Sequence, residues 1–197
     1  MLYLSQIRQL ATKNSMMTVW TIGHSTRSIE EFLELLALNQ ISRLVDVRSI
    51  PHSKRYPHFN TEALSRSLTE SAISYTHLAE LGGRRGKIAA VQPSPNSGWS
   101  KAPFRNYADY ALTEPFQKGL ESLLVIAEHE RVAIMCSEAV WWRCHRRIIT
   151  DHLVARGVEV MHILSNSAPE RGTLTPFAEV TNERNVIYPP DQQKLAL

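Results

Sequence analysis

The stretch IMCSEAVWWRCHRRIITDHL, from Ile134 to Leu153, holds both cysteines of the chain. Glu138, His145, Trp141, Trp142, Arg143, Arg146 and Arg147 lie between and around them. Cationic groups beside a thiol favour its thiolate, and only the thiolate is a strong nucleophile or metal ligand. The stretch therefore reads as a reactive or ligand-binding centre. The plainer reading is a buried, inert cysteine at the end of an apolar run, followed by a solvated helix face.

Cys136 closes the run RVAIM and precedes a helix whose N-terminal end offers free amides and a positive dipole. Arg143, Arg146 or His24 would add positive charge, and Glu138 would oppose it. Cys144 and His145 are expected in the first turn of that helix. Cys136, Cys144 and His145 form a candidate zinc set, with Glu138 or His24 as fourth ligand, but they lack paired Cys-x-x-Cys spacing, so zinc is an option that the pattern does not favour. Seven residues separate the cysteines, unlike a Cys-x-x-Cys redox pair. Six separate Cys136 from Arg143, one more than a phosphatase-type loop allows.

Other polar residues gather where strands should end. GHS (Gly23 to Ser25) follows the run TVWTI, and DVR (Asp46 to Arg48) closes a second strand. Asp46 and Arg48 share a side by the two-residue period, as an ion pair or as an orienting carboxylate with an anion-binding guanidinium. His52, Ser53, Lys54 and Arg55 follow. LGGRRGK (Leu81 to Lys87) has paired glycines that let backbone approach a ligand, but it is no Walker A loop, because no Ser or Thr follows the lysine. Trp141 and Trp142 either stack a base or pack a helix on the sheet, and the pattern favours packing. His129 and His152 read as surface or helix-end residues.

The elements that must position these groups alternate. Thr18 to His24 reads as strand one. Ser28 and Glu31 form a capping box for a helix with Ile29, Phe32, Leu33 and Leu36 on one face. Ile41 to Pro51 is strand two, Asn60 or Thr61 caps the next helix, and SYTHL is a short third strand. Leu81 to Ala102 is a long loop of functional or mobile type. A helix broken near Pro115 follows, then the RVAIM strand, a helix closed by Gly157, and a last strand from Val158 to Leu164. This pattern predicts an α/β fold: a mostly parallel open sheet of about five strands with helices on both faces, a Rossmann-like three-layer sandwich. Residues 1–17 read as an N-terminal extension, with Met16 or Met17 as the expected start. Residues 18–164 form one α/β domain with a loop at 81–102, and 165–197 an irregular tail. In such sheets ligands sit beyond the strand C-terminal ends, so His24 and Cys136 meet if strand one lies beside RVAIM.

With 197 residues, 43% hydrophobic and 21% charged, the chain can bury a full core. Two cysteines make no disulfide framework, and no apolar run reaches the roughly 18 residues of a membrane helix. A cytoplasmic location without membrane association is expected. The net charge of +3 permits an anionic partner without demanding one.

TIGHSTRSIEEFLELL, LVDVRSIPHSKRYPHFN, YTHLAELGGRR, NYADY and VAIMCSEAVWWRCHRRIITDHLVARGVEVMHI together resemble the bacterial family catalogued as domain of unknown function 488. The resemblance implies a compact α/β cytoplasmic protein and no agreed reaction. Its recurrent polar residues match His24, Ser25, Asp46, Arg48, Pro51, Ser53, Cys136, Glu138, Cys144, His145 and Arg146.

The leading expectation is a hydrolase or transferase acting on an anionic small molecule, of nucleotide or nucleic-acid type. Cys136 would be nucleophile or thiolate ligand, His24 or His145 the acid–base group and Glu138 the orienter. Arg48 and Arg146 would hold the anion, with Ser25, Asp46 and Ser53 beside it. The rival is a non-catalytic nucleic-acid or ligand-binding module using the basic loops, with Tyr56, Phe59 and Trp99 stacking. A third reading makes the cluster a structural clamp. Cofactor, metal content and oligomeric state are left open.

Overall fold

The computed structural model describes residues 17–190; the expected extension lies outside the described residues except for Met17. The elements run β1 (Thr18–Gly23), α1 (Ile29–Leu38), β2 (Arg43–Asp46), α2 (Thr61–Glu70), β3 (Ser74–His77), α3 (Ala102–Ala111), α4 (Glu114–Ala127), β4 (Val132–Cys136), α5 (Arg146–Val154) and β5 (Glu159–Ile163). Three two-residue strands follow: β6 (Glu170–Arg171), β7 (Glu179–Val180) and β8 (Val186–Ile187). The main sheet has six strands in the order β3-β2-β4-β1-β5-β6. The first five are parallel and β6 is antiparallel, so the expected five-strand sheet carries one further edge strand.

The two-residue period sorts the strands between two cores. Val19, Val45, Val132, Ile134 and Val160 face α3, α4 and α5, packing with Tyr107, Phe116 and Ile149. Trp20, Ile22, Leu44, Ala133 and Met135 face α1 and α2, packing with Phe32, Leu36 and Leu64. Strands with few polar side chains are what a parallel sheet covered on both faces requires. Ser28 caps α1 by accepting the Glu31 amide at 3.2 Å. The helical break near Pro115 is real: α3 ends at Ala111, and Pro115 sits in the first turn of α4, where its missing N–H costs nothing.

Three segments differ from expectation. The last long helix begins at Arg146, so Cys144 is extended backbone and His145 is the cap. A 3-10 turn over Trp141–Arg143 precedes it. The segment after Leu164, expected to be irregular, contributes β6 to the sheet and a β7–β8 hairpin. It is tied to α5 through Asp151, which accepts the Tyr188 hydroxyl at 2.7 Å and the Thr175 amide at 2.8 Å. The loop from 82 to 101 is pinned as well. Asp109 accepts Ser94 Oγ at 2.5 Å and Asn96 Nδ2 at 2.8 Å, and Asn96 Oδ1 accepts the Tyr188 amide at 3.0 Å. Length suggested mobility there, but buried polar groups on both sides hold the loop down.

The connection from β1 to β2 passes over β4, and that from β4 to β5 passes over β1. The two strands thus leave the sheet in opposite directions, which opens a crevice at their C-terminal ends. Gly23 lies opposite Cys136 in the β1–β4 register. The Glu138 carbonyl oxygen sits 1.8 Å from where a Gly23 Cβ would be, so only glycine admits the chain after β4.

Two predictions follow from this packing. Gly23→Ala should lose about 1–3 kcal/mol of stability in urea denaturation, since the methyl would meet backbone that cannot rotate away; an unchanged midpoint would refute the close approach. His152, expected at the surface or a helix end, stands in the last turn of α5 but is wholly buried, and its ring lies edge-on to Phe116 at 5.0 Å. Burial first, then the charge of Arg156, hold its pKa down to about 3. The unfolded chain takes up a proton below about pH 6.5, whereas the folded one does not until about pH 3, so stability falls as pH drops through this window. His152→Phe should remove about 2 kcal/mol of the stability loss between pH 7 and pH 5, measured by urea titration at each pH. An identical pH slope in the variant would show that the imidazole is not held neutral.

Candidate functional site

The β1–β4 crevice opens into a cleft of about 720 Å³. His24, Ser25, Arg48, Ser53, Cys136, Glu138, Cys144 and His145, all singled out from the sequence, line it. Arg146 and Asp46 do not: both are buried behind the wall and hold other site residues in place. Arg55, Arg84 and Arg143, together with His52, add cationic groups, and Glu138 is the one carboxylate among the lining residues.

Its floor is the thiol pair. Cys136 Sγ and Cys144 Sγ are 3.3 Å apart and buried, despite the seven intervening residues. The chain after β4 folds back through the Trp141–Arg143 turn and returns Cys144 to the strand end. Arg146, 0% exposed, clamps this return: Nε donates to Cys144 Sγ at 3.2 Å, and Nη2 to the Glu138 carbonyl at 2.5 Å. The Glu138 amide donates to Cys136 Sγ at 3.3 Å. Burial favours both neutral thiols. For Cys144 this is outweighed by the hydrogen bond from Cys136 and the charge of Arg146, which bring it well below the ordinary thiol range. Burial, then the hydrogen bond to Cys144, pushes Cys136 well above that range. The arrangement thus favours the thiolate at Cys144 over one at Cys136. The cationic support expected for Cys136 reaches Cys144 instead, because the helix starts two residues past Cys144.

His145 Nε2 donates to the Val47 carbonyl at 2.8 Å, which leaves Nδ1 as the bare nitrogen. Gly83, from the long loop, lies against this ring: a Cβ there would come 2.3 Å from Nδ1. Burial lowers the His145 pKa and keeps the ring neutral.

His24 occupies the opposite wall. Its main-chain amide donates to the Cys136 carbonyl at 3.0 Å, confirming that the two strand ends are adjacent. Its ring stacks on Phe59 at 4.3 Å, Nδ1 donates to the Ser25 carbonyl at 3.0 Å, and Nε2 faces Arg48 Nη1 at 3.5 Å. No hydrogen bond joins it to either thiol among the described residues. Burial, then Arg48, lowers its pKa to about 4, so it is a neutral acceptor at pH 7.

Asp46 and Arg48 form the ion pair that their spacing allowed. Arg48 Nε lies 2.9 and 3.0 Å from the two carboxylate oxygens, and Nη2 lies 2.5 Å from Oδ2. Tyr75 donates its hydroxyl to Oδ2 at 2.9 Å, and Arg48 Nη2 also reaches the Phe59 carbonyl at 2.8 Å. Asp46 thus orients Arg48, whose Nη1 is left facing His24. Ser53 shapes the wall as a turn former: Oγ accepts the Tyr56 amide at 3.1 Å, and its own amide donates to Asn60 Oδ1 at 2.6 Å. Ser25 adopts φ +50 and donates its amide to the Ser137 carbonyl at 3.0 Å.

The aromatic candidates are mostly structural. Trp141 stacks on His162 at 4.1 Å and 9°, which settles it as packing. Phe59 and Trp99 are buried and cannot offer a base-stacking face; Tyr56 alone of the three lines the cleft. Arg84, which the sequence marked only as part of a basic loop, joins the cleft lining. Its amide donates to Ser49 Oγ at 2.9 Å, which draws the loop onto the cleft rim, and only the paired glycines before it hinted at that approach.

No helix among the described residues is long and apolar enough to cross a membrane. No curated protein and no solved structure matches the chain. The family model described as domain of unknown function DUF488 matches residues 28–153, which span β2, both basic loops, the thiol pair and all of α5 but its last residue. By that match over more than half its length, the chain belongs to the DUF488 family.

Proposed function

We propose that this protein is an enzyme that takes an anionic, phosphate-bearing substrate of nucleotide size into the cleft and acts on it at the thiol pair. One observation carries the reading: a cleft walled by four arginines and three histidines, with a single carboxylate, ends on two sulfurs in contact. Its 720 Å³ falls in the range of about 300–1,000 Å³ typical of small-molecule pockets. Nucleic acid as the ligand is the second outcome, weakened by the burial of Phe59 and Trp99.

The roles follow from position. Arg84 and Arg143 are exposed at the rim and reach the anion first; Arg48 is pre-oriented by Asp46 and waits deeper. Cys144, as the thiolate side of the pair, is the reactive group of a hydrolase or transferase, with Cys136 as its proton-bearing partner. Glu138 and the neutral His24 are the acid–base candidates, and Arg146 positions the thiolate from behind. Two free thiols in contact suit a reducing compartment, and we place the protein in the cytoplasm.

Calorimetric titration with nucleoside mono-, di- and triphosphates tests the reading. At least one should bind with affinity that falls as salt rises. Replacing both rim arginines, Arg84→Ala/Arg143→Ala, should weaken it about 10- to 100-fold, as expected for losing hydrogen bonds to a charged group. Cys144→Ser should leave binding within about threefold and abolish turnover. No nucleotide binding, or equal binding by the double variant, would overturn the proposal; tighter binding of oligonucleotides with a steeper salt dependence would replace it with the binding module.

A further inference from the structure

We infer that Cys136, Cys144 and His145 bind a zinc-type divalent cation, with one coordination position open to the cleft. The ligand atoms of the three side chains lie within 4.8 Å of one another, and the two sulfurs are 3.3 Å apart. A tetrahedral zinc with bonds of about 2.3 Å to sulfur and 2.0 Å to nitrogen spaces its ligands about 3.6–3.8 Å apart. The set closes on an ion if the sulfurs part by about half an ångström and the widest pair of ligand atoms closes by up to about 1 Å, within the reach of side-chain rotation.

The surroundings are those of ligands rather than of packed core. His145 donates Nε2–H to the Val47 carbonyl, the outer hydrogen bond that orients a metal-binding imidazole and presents its other nitrogen. Each sulfur accepts one N–H, from the Glu138 amide and from Arg146 Nε, and such bonds stabilise sulfur as an anion. Two thiolates this close repel one another in a dry site. Metal binding would displace the Cys136 proton, and a divalent cation then balances the second negative charge, which Arg146 at Cys144 does not cover. Two sulfurs and one imidazole select zinc over magnesium or calcium, which prefer oxygen. Three protein ligands with a fourth position left open is the pattern of a catalytic zinc, whereas structural zinc takes four. All three ligands line the cleft.

Metal binding stands on this donor geometry alone. That the open position meets the bound anion rests on the cleft reading above. Zinc would then polarise the substrate or a water there, and Cys144 would act as a ligand rather than as the attacking group.

Full-length protein, reduced and stripped with a chelator, is titrated with Co²⁺ as a spectroscopic substitute, and zinc affinity is read by competition with a chromophoric chelator. About one equivalent should bind with tetrahedral d–d bands and sulfur-to-cobalt charge transfer. Cys136→Ser and Cys144→Ser should each lose about half of that charge-transfer intensity, and each should weaken zinc binding by 100-fold or more, as should His145→Gln. Alkylation of the unmutated protein avoids dependence on how the variants fold: bound zinc should protect both thiols from iodoacetamide. Unprotected thiols, absent sulfur charge transfer, or unchanged binding by the Cys136→Ser/Cys144→Ser variant would overturn the site. Pyrophosphate should shift the cobalt bands. Binding of pyrophosphate without a shift would close the open position, whereas cobalt binding without any pyrophosphate binding would sink the anion reading and leave the metal site standing.

Discussion

A guanidinium with no solvent and no carboxylate partner is the constraint on which the site depends. Arg146 is wholly buried at the start of α5, and among the described residues no ion pair joins it to an acid. A buried charge of this kind costs several kcal/mol unless a counter-charge meets it. The group its Nε meets is Cys144 Sγ, so the folded protein favours a thiolate there. The other arm of the same guanidinium fixes the Glu138 carbonyl, and that carbonyl lies over Gly23. One side chain thus sets the ionisation of the sulfur pair and the course of the loop across β1.

Around this clamp the fold brings together four segments distant in sequence. The β1 end supplies His24, the β2 end Arg48, the long loop Gly83 and Arg84, and the β4–α5 connection the two sulfurs and His145. Each is held by a bond to another segment: His24 to the Cys136 carbonyl, His145 to the Val47 carbonyl, Arg84 to Ser49. Such cross-bracing keeps groups preorganised, which is how a site keeps its geometry when a ligand arrives. Burial is what keeps both histidines neutral, with the charge of Arg48 adding to it at His24; the N–H that each ring donates to a main-chain carbonyl works the other way and fixes the tautomer.

The places where sequence reasoning went astray share one cause. His152 reads by type as a surface or helix-end residue, although imidazole serves equally in the core, whereas the packing reading of Trp141 holds. Contact with Phe116 and His162 decides them. Phe59 reads as a stacking aromatic in a basic loop, yet a 3-10 turn tucks it under His24. The cysteine spacing weighed against a pair only because spacing motifs assume a continuous helix or tight turn. Here an irregular connection brings the sulfurs together, and no periodicity encodes that path.

What the amino-acid order determined by itself is local: the alternation that makes the β-strands, the Ser28 cap, the break at Pro115, and the polar residues gathered at strand ends. These depend on neighbours a few positions away, so they survive in one dimension. Sheet order, the 3.3 Å contact of the sulfurs, the tautomer of His145 and the arrival of Arg84 at the rim were decided only in the folded molecule. Each of these depends on which strand lies beside β1 and on whether a buried charge finds its partner. Those are relations between residues tens to more than a hundred positions apart, and packing rather than spacing determines them.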